Sequence, residues 1–171
     1  RCIAVDRATR EVTLADGRRL AYDTLVLATG AVPRPLSQLP PGAPRVRYLR
    51  TAEDACALRA ALPGCRRLLV VGGGLIGLEV AAAAAELGIA TTVLEVAPQI
   101  LTRVCDEDTA SVIHAEHVRR GVDIRVGRTL VEATLSPGGG TAVIGDGERL
   151  TVDLVVVGTG IRPNDELAAA A

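Results

Sequence analysis

The stretch Leu68–Glu79, LLVVGGGLIGLE, most narrows what this chain can fold into: four apolar residues run into three glycines and then into a helix-forming segment. An apolar run that short, bounded by glycine, reads as a fully buried strand. Gly72, Gly74 and Gly77 satisfy the spacing G-x-G-x-x-G, with Gly73 inside the turn. In a strand–turn–helix unit the first glycine allows a tight turn, the second lets a pyrophosphate approach the backbone, and the third lets the helix lie against the strand. Alanine-rich Leu75–Leu87 then reads as a helix that Gly88 ends, and Ala90–Leu94 as the next strand, reaching an acid at Glu95. Glu95 follows Gly77 by 18 residues, where a carboxylate accepts hydrogen bonds from an adenosine ribose. The unpaired amides of the helix's first turn, those of Leu75 and Ile76 among them, suit an anion without help from a basic side chain.

A chain of 171 residues supports one good core, or one domain with pieces of another. It opens on Arg1 and has no methionine, from which we expect a piece of a longer protein. The net charge of −1 gives no electrostatic case for nucleic acid or an anionic membrane. Tyr22 and Tyr48 are the only aromatics, too few for base stacking. All 19 basic residues are arginine, so a Schiff-base lysine and a P-loop lysine are both excluded within this chain. Cys2, Cys56, Cys65 and Cys105 form no C-x-x-C and read as incidental thiols rather than a redox pair or zinc site. His114 and His117 share a helix face with only Glu116 between them as a further ligand type, and are read as helix residues with no metal expected. No serine stands in a nucleophile elbow. Without an apolar run of membrane-spanning length or a signal-peptide pattern, a cytoplasmic location is expected.

Along the chain, residues 2–30 read as three short strands, with a hairpin at Asp16-Gly17 and a buried run at Leu25–Ala28 that ends in Thr29-Gly30. Pro and Gly take six of the twelve positions from Pro33 to Pro44, which marks a linker. A helix starts near Thr51 and stops at Leu62 before Pro63-Gly64, and another runs from about Asp106 to Arg120 before Gly121. Val122–Val126 is a further parallel strand, Leu130–Leu135 and Thr141–Ile144 make a meander, and Leu154–Val157 is the last buried strand. Shifted by 130 positions, residues 16–33 fall on residues 146–163 with nine of eighteen identical. Two copies of one structural unit are therefore expected, the second with its glycine turn and the first represented by its tail alone.

The segments YDTLVLATGAVPRPL, LRTAEDACALRAAL, GGGLIGLEVAAAAAELG, VLEVAPQILTRV and DLVVVGTGIRPNDELA together resemble the flavin-dependent pyridine nucleotide–disulfide oxidoreductases. Within these the likeness is to the ferredoxin, rubredoxin and putidaredoxin reductases, and it covers nearly all of residues 10–169. The resemblance implies an α/β fold: a Rossmann-like, three-layer dinucleotide-binding domain, built from a parallel sheet plus a β-meander, beside strands of an incomplete FAD-binding domain. Residues 1–34 would belong to the FAD domain, 35–50 to a linker, 51–153 to the NAD(H) domain, and 154–171 to its last strand and the return to the FAD domain.

The resemblance also implies site residues. Gly72 and Gly74, with Gly73 and Gly77 in the same motif, would bring the turn to the pyrophosphate, and Leu75 and Ile76 would follow it into the helix. Glu95 would hold the adenosine ribose, and Arg103 matches a family arginine on the adenosine side or is a surface salt-bridge arginine. Thr159 and Gly160 would lie by the nicotinamide, as would Glu79, which read only as chemistry is equally a helix residue favoured by the dipole, while Thr29, Gly30 and Arg34 would touch FAD in the intact protein. No residue is assigned as catalytic. Val96 follows Glu95 and no arginine intervenes before Arg103, so NADH is favoured over NADPH. With Cys105 alone where thioredoxin reductases carry C-x-x-C, dithiol exchange is not expected. The implied activity is hydride transfer from NADH to FAD and electron delivery to an iron–sulfur ferredoxin or rubredoxin-type carrier, the chain alone binding NADH without turnover. The alternatives are an NADH oxidase, a CoA-disulfide reductase, a nitrite-reductase flavoprotein subunit, or, from another class, a non-catalytic NAD-binding sensing module.

Overall fold

The computed structural model describes residues 1–171. They form two compact units, Arg1–Val32 with Ile161–Ala171, and Pro33–Gly160.

In the first unit, strands β1 (Cys2–Asp6), β2 (Glu11–Leu14) and β3 (Arg19–Ala21) form an antiparallel meander. Its second turn is the Asp16-Gly17 hairpin read from sequence, where Gly17 has φ of +83°. The buried strand expected at Leu25–Ala28 does not form: the segment is irregular and Val26 is 80% exposed. An apolar run becomes a strand only when neighbouring strands take up its amides and carbonyls, and within residues 1–171 none flank this one. After β4 (Ala31–Pro33), the unit resumes past residue 160 and includes two short elements that the sequence did not suggest. These are β13 (Ile161–Pro163), which pairs with β4, and α4 (Glu166–Ala169). Asn164 links the two stretches, its amide donating to the Gly30 carbonyl and its Nδ2 to that of Thr29.

The second unit is built on a fully parallel sheet. Its strands are β5 (Val46–Tyr48), β6 (Arg67–Val71), β7 (Ala90–Glu95), β8 (Asp123–Val126) and β12 (Leu154–Val157), in the order β5-β12-β6-β7-β8. Alternation along the strands divides the core into two faces. Leu68, Val70, Val93, Leu154 and Val156 pack on helices α1 (Ala52–Ala61) and α2 (Leu75–Glu86), where Leu58, Val80, Ala81 and Ala84 are buried. Leu69, Val71, Leu94, Val155 and Val157 face the other way, onto an antiparallel meander of β9 (Leu130–Ser136), β10 (Gly139–Ile144) and β11 (Arg149–Val152). Helices, parallel sheet and meander make the three expected layers. Helix α3 (Glu107–Arg119) adds a smaller cluster with Leu78, Ile100 and Leu101. Val46–Tyr48, read as linker from its proline-rich approach, is instead the edge strand of the sheet.

The helix ends follow their sequence signals. Thr51 and Asp54 form a reciprocal capping box at the start of α1, and Asp106 caps α3 through the Thr109 amide. At the end of α2 the Ile89 amide donates to Ala84 and the Gly88 amide to Ala85, a Schellman closure that turns the chain straight into β7. His117 packs α3 on α2, its ring nitrogens lying 2.8 Å from the Ile113 carbonyl oxygen and 3.3 Å from that of Leu78.

Asp153 ties the central strands together where they start. One carboxylate oxygen accepts from the amides of Arg66 and Arg67 at 3.0 and 2.9 Å, and the other from the Arg67 guanidinium at 2.7 Å. The Arg67 guanidinium and these amides hold the carboxyl below the usual aspartate range. Such a group stabilises the fold above its unfolded-chain value, about 3.9, and its contribution disappears as the pH falls through the lower folded value. Asp153→Asn is therefore expected to cost about 1–2 kcal/mol at neutral pH, with the gap to the unmodified chain closing below about pH 4. Denaturant melts across pH 3–7 measure this, and a gap independent of pH would refute it.

Candidate functional site

The C-terminal ends of parallel strands open on one side of a sheet, and ligands of such folds bind in the crevice there. In the second unit a cleft of about 910 Å³ lies at the ends of β6, β7, β8 and β12. The turn Gly72–Gly74, the segment Leu94–Ala97, the segment Leu101–Val104, Arg128–Leu130 and Gly158–Gly160 all contribute to its lining.

The glycine turn is held from several directions. The Gly72 amide donates to the Leu94 carbonyl at 2.7 Å, and the Gly73 carbonyl accepts from the Leu101 amide at 3.0 Å. Glu95, the last residue of β7, accepts from the Gly73 amide at 2.7 Å through one carboxylate oxygen and from the Ala97 amide at 2.8 Å through the other. On the far side the Gly158 amide donates to the Val71 carbonyl at 2.8 Å. Thr159 donates its hydroxyl proton to the Arg34 carbonyl at 3.3 Å, and the Arg34 amide donates to Gly160 at 2.9 Å.

The glycines separate by what excludes a side chain. At Gly72, with φ of +113°, a Cβ would stand 2.5 Å from the Gly158 carbonyl oxygen, and at Gly77 it would stand 2.0 Å from that of Gly72. Those two positions are closed by the protein itself. Gly74 is different: it is the N-cap of α2, its φ of −84° and ψ of −177° suit any residue, and a Cβ there would meet nothing within 4 Å. Serine or aspartate would cap the helix better than glycine, and α2 has no side-chain cap. The open space over Gly74, beside the free amides of the first helical turn, fits a phosphate group brought against the backbone.

Of the residues expected at a cofactor, the cleft brings together Gly72, Gly73, Gly74, Glu95, Arg103, Thr159 and Gly160, and adds Arg34. Leu75, Ile76, Gly77 and Glu79 do not line it: Leu75, Ile76 and Glu79 are exposed on α2, and Gly77 is buried beneath the turn. Thr29 and Gly30 belong to the first unit, where they bond to Asn164. Leu101 and Arg128 line the cleft without having been singled out in sequence. Arg128 was accessible to the rule that residues just past parallel strands form the crevice. Leu101, buried with φ of +55°, had no sequence signal. The four cysteines are unpaired, and burial, with Asp153 nearby, pushes the Cys65 thiol up.

The family model for pyridine nucleotide-disulphide oxidoreductases matches residues 1–171. The ferredoxin–NAD(+) reductase component of the p-cumate 2,3-dioxygenase system of Pseudomonas putida is 45% identical over 96% of this chain and 40% of its own length. A crystal structure of a ferredoxin reductase from Rhodopseudomonas palustris superposes with a TM-score of 0.89 at 39% identity, covering 100% of this chain and 43% of that one. The reductase chain matched in the covalent putidaredoxin reductase–putidaredoxin complex gives 0.88 at 42% identity, with 100% and 42% coverage. The chain thus spans about two fifths of the length of the relatives it matches.

The contrast among the glycines is testable by pairing stability with binding. Gly77→Ala is expected to lower stability by about 3 kcal/mol or more, because the clash is with backbone that cannot yield. Gly74→Ser should leave the melting temperature unchanged or raise stability by about 0.3 kcal/mol, yet weaken dinucleotide binding at least about tenfold. Calorimetric titration alongside thermal melts gives both quantities, and a Gly74→Ser variant that binds as well as the unmodified chain would remove the argument for a phosphate at that position.

Proposed function

The chain belongs to the pyridine nucleotide-disulphide oxidoreductase family, and on that premise we propose that it is the NADH-binding part of a flavoprotein reductase. The intact protein would take hydride from NADH onto FAD and hand electrons to a ferredoxin- or rubredoxin-type carrier. The observation that carries the NADH assignment is that no protein atom lies within 4 Å of a Cβ built on Gly74, at a helix N-terminus without a side-chain cap and in a cleft that also contains Glu95.

The cofactors supply the redox chemistry, and the protein's part is position and electrostatics. The Gly74 amide, in the cleft lining, would take the pyrophosphate, aided by the amides of Leu75 and Ile76, which lie outside that lining in the exposed first turn of α2 at the positive end of its dipole. Each Glu95 oxygen accepts one backbone amide, and an ionised carboxylate has about four acceptor positions, so both oxygens retain capacity for ribose hydroxyls. Arg103 is assigned to the adenosine side, and Thr159 and Gly160 to the nicotinamide side, where the resemblance also puts Glu79. Thr29, Gly30 and Arg34 are assigned to FAD. The first domain is read as part of an FAD domain and the second as the NAD(H) domain.

The acceptor is proposed from the names of the relatives, which include ferredoxin reductases and a reductase joined covalently to putidaredoxin. No helix is long and apolar enough to cross a membrane, and a cytoplasmic setting is proposed on the strength of four unpaired cysteines. The chain alone is expected to bind NADH without turnover.

Glu95→Ala tests the ribose assignment. Losing charge-assisted hydrogen bonds to the ribose is expected to weaken NADH binding by about tenfold, while NADPH, relieved of repulsion at its 2′-phosphate, weakens less or not at all. Isothermal calorimetry with both nucleotides decides it, and an equal loss for the two would show that Glu95 serves only to brace the Gly73 amide.

A further inference from the structure

Resting on the NADH reading, the geometry points to Asp146 as a residue that sets the preference for NADH over NADPH, by offsetting the charge that the Arg128 guanidinium could offer to a 2′-phosphate.

Beyond β8 the chain is stitched alongside the segment carrying Glu95. The Arg128 amide donates to the Glu95 carbonyl at 3.0 Å, the Gly127 amide to the Ala97 carbonyl at 2.8 Å, and Arg128 and Glu95 line the same cleft. Sequence places no cation directly after Glu95, but the parallel sheet brings one there from 33 positions further along. An arginine beside the ribose acid is the usual means of accommodating a 2′-phosphate. Here the guanidinium is already engaged, its Nη1 lying 2.7 Å from Asp146 Oδ2.

The partner acid is firmly placed. It sits in the turn between β10 and β11, does not itself line the cleft, and accepts the Glu148 amide through Oδ1 at 3.1 Å. The Gly145 amide donates to the Thr129 carbonyl at 3.0 Å, and Glu148 pairs with Arg125 at 2.7 Å. The turn is thereby fixed against the exit of β8, and there Asp146 pairs with Arg128 as a partly exposed ion pair, the two side chains 38% and 46% accessible. Arg34 and Arg103, the other arginines of the cleft, have no carboxylate partner, so Arg128 is the one whose availability depends on an acid.

Asp146→Asn removes the charge and keeps an oxygen for the Glu148 amide. In calorimetric titrations of the chain it is expected to tighten NADPH binding about fivefold while NADH binding stays within about twofold. Asp146→Glu should retain the wild-type ratio of the two affinities, and adding Arg128→Ala to Asp146→Asn should abolish the gain. Asp146→Ser is a second way to remove the charge if Asn impairs folding. A purely structural role for Asp146 would move both affinities together, and that result, or a gain that survives Arg128→Ala, would overturn the inference. Failure of the unmodified chain to bind either nucleotide would overturn the NADH reading as well. Binding of NADH with no change of ratio in Asp146→Asn would overturn the role of Asp146 alone.

Discussion

The approach of helix α2 to its own turn governs the rest of the site. A Cβ at Gly77 would stand 2.0 Å from the Gly72 carbonyl oxygen, and one at Gly72 would stand 2.5 Å from that of Gly158. Three backbone segments therefore meet where there is no room for side chains. Strand β6 can pass into α2 without the helix lifting off the sheet, so the helix keeps Val80, Ala81 and Ala84 buried and still presents its N-terminus at the strand ends. Because all five strands of that sheet are parallel, the exits of four of them converge on the same cleft. Residues from Arg34 to Gly160 are collected there without any of them being close in sequence to all the others.

Much of this was legible beforehand because its causes are local. The glycine turn, the capped helices and the acid at the end of β7 each depend on a few neighbouring residues. The repeat shows where that reach ends. Leu25–Ala28 and Val155–Gly158 occupy equivalent positions 130 residues apart and are both apolar. Val155–Val157 lies in the middle of the parallel sheet, fully buried between β5 and β6, whereas Leu25–Ala28 has no flanking strands and is irregular. The same split separates Asp23 from Asp153. The first is exposed, and the second is clamped by two amides and a guanidinium at the foot of β6. Pattern specifies a surface suited to a pleated sheet, while partners decide whether the sheet exists. Val46–Tyr48 makes the converse point, since a short edge strand behind a proline-rich segment carries almost no pattern of its own and is recruited by β12.

The cleft's electrostatics divide between backbone and side chains. The end at the glycine turn has no basic side chain in the turn and offers free amides at a helix N-terminus, which are fixed dipoles with little to reorganise. Its other end carries formal charge: Glu95 on one strand exit, Arg128 on the next, and Asp146 behind Arg128. A chain that uses arginine for all its basic residues gains planar, forked donors suited to holding two carboxylates at once. Arg125 does so between Asp123 and Glu148. The meander thereby becomes part of the site, because its β10–β11 turn decides how much positive charge the β8 exit can offer.

Three successive glycines would ordinarily be the loosest stretch of a fold, yet here they form a fixed feature, and the buried Leu101 is part of the reason. It holds φ of +55°, a conformation that costs a leucine about 1–2 kcal/mol, and its amide bonds the Gly73 carbonyl. The peptide between Gly73 and Gly74 is planar and trans, so anchoring its carbonyl to Leu101 also turns the Gly74 amide to face away from that residue. From the adjacent side Glu95 takes the Gly73 amide, and consecutive peptides of the turn are thus oriented by two separate braces. Ile100 and Leu101 are themselves packed against Leu78 and Ala110, so the brace on the Gly73 carbonyl belongs to a buried cluster. A ligand that reaches the turn then meets amides already in place, and its binding energy is not consumed in arranging them.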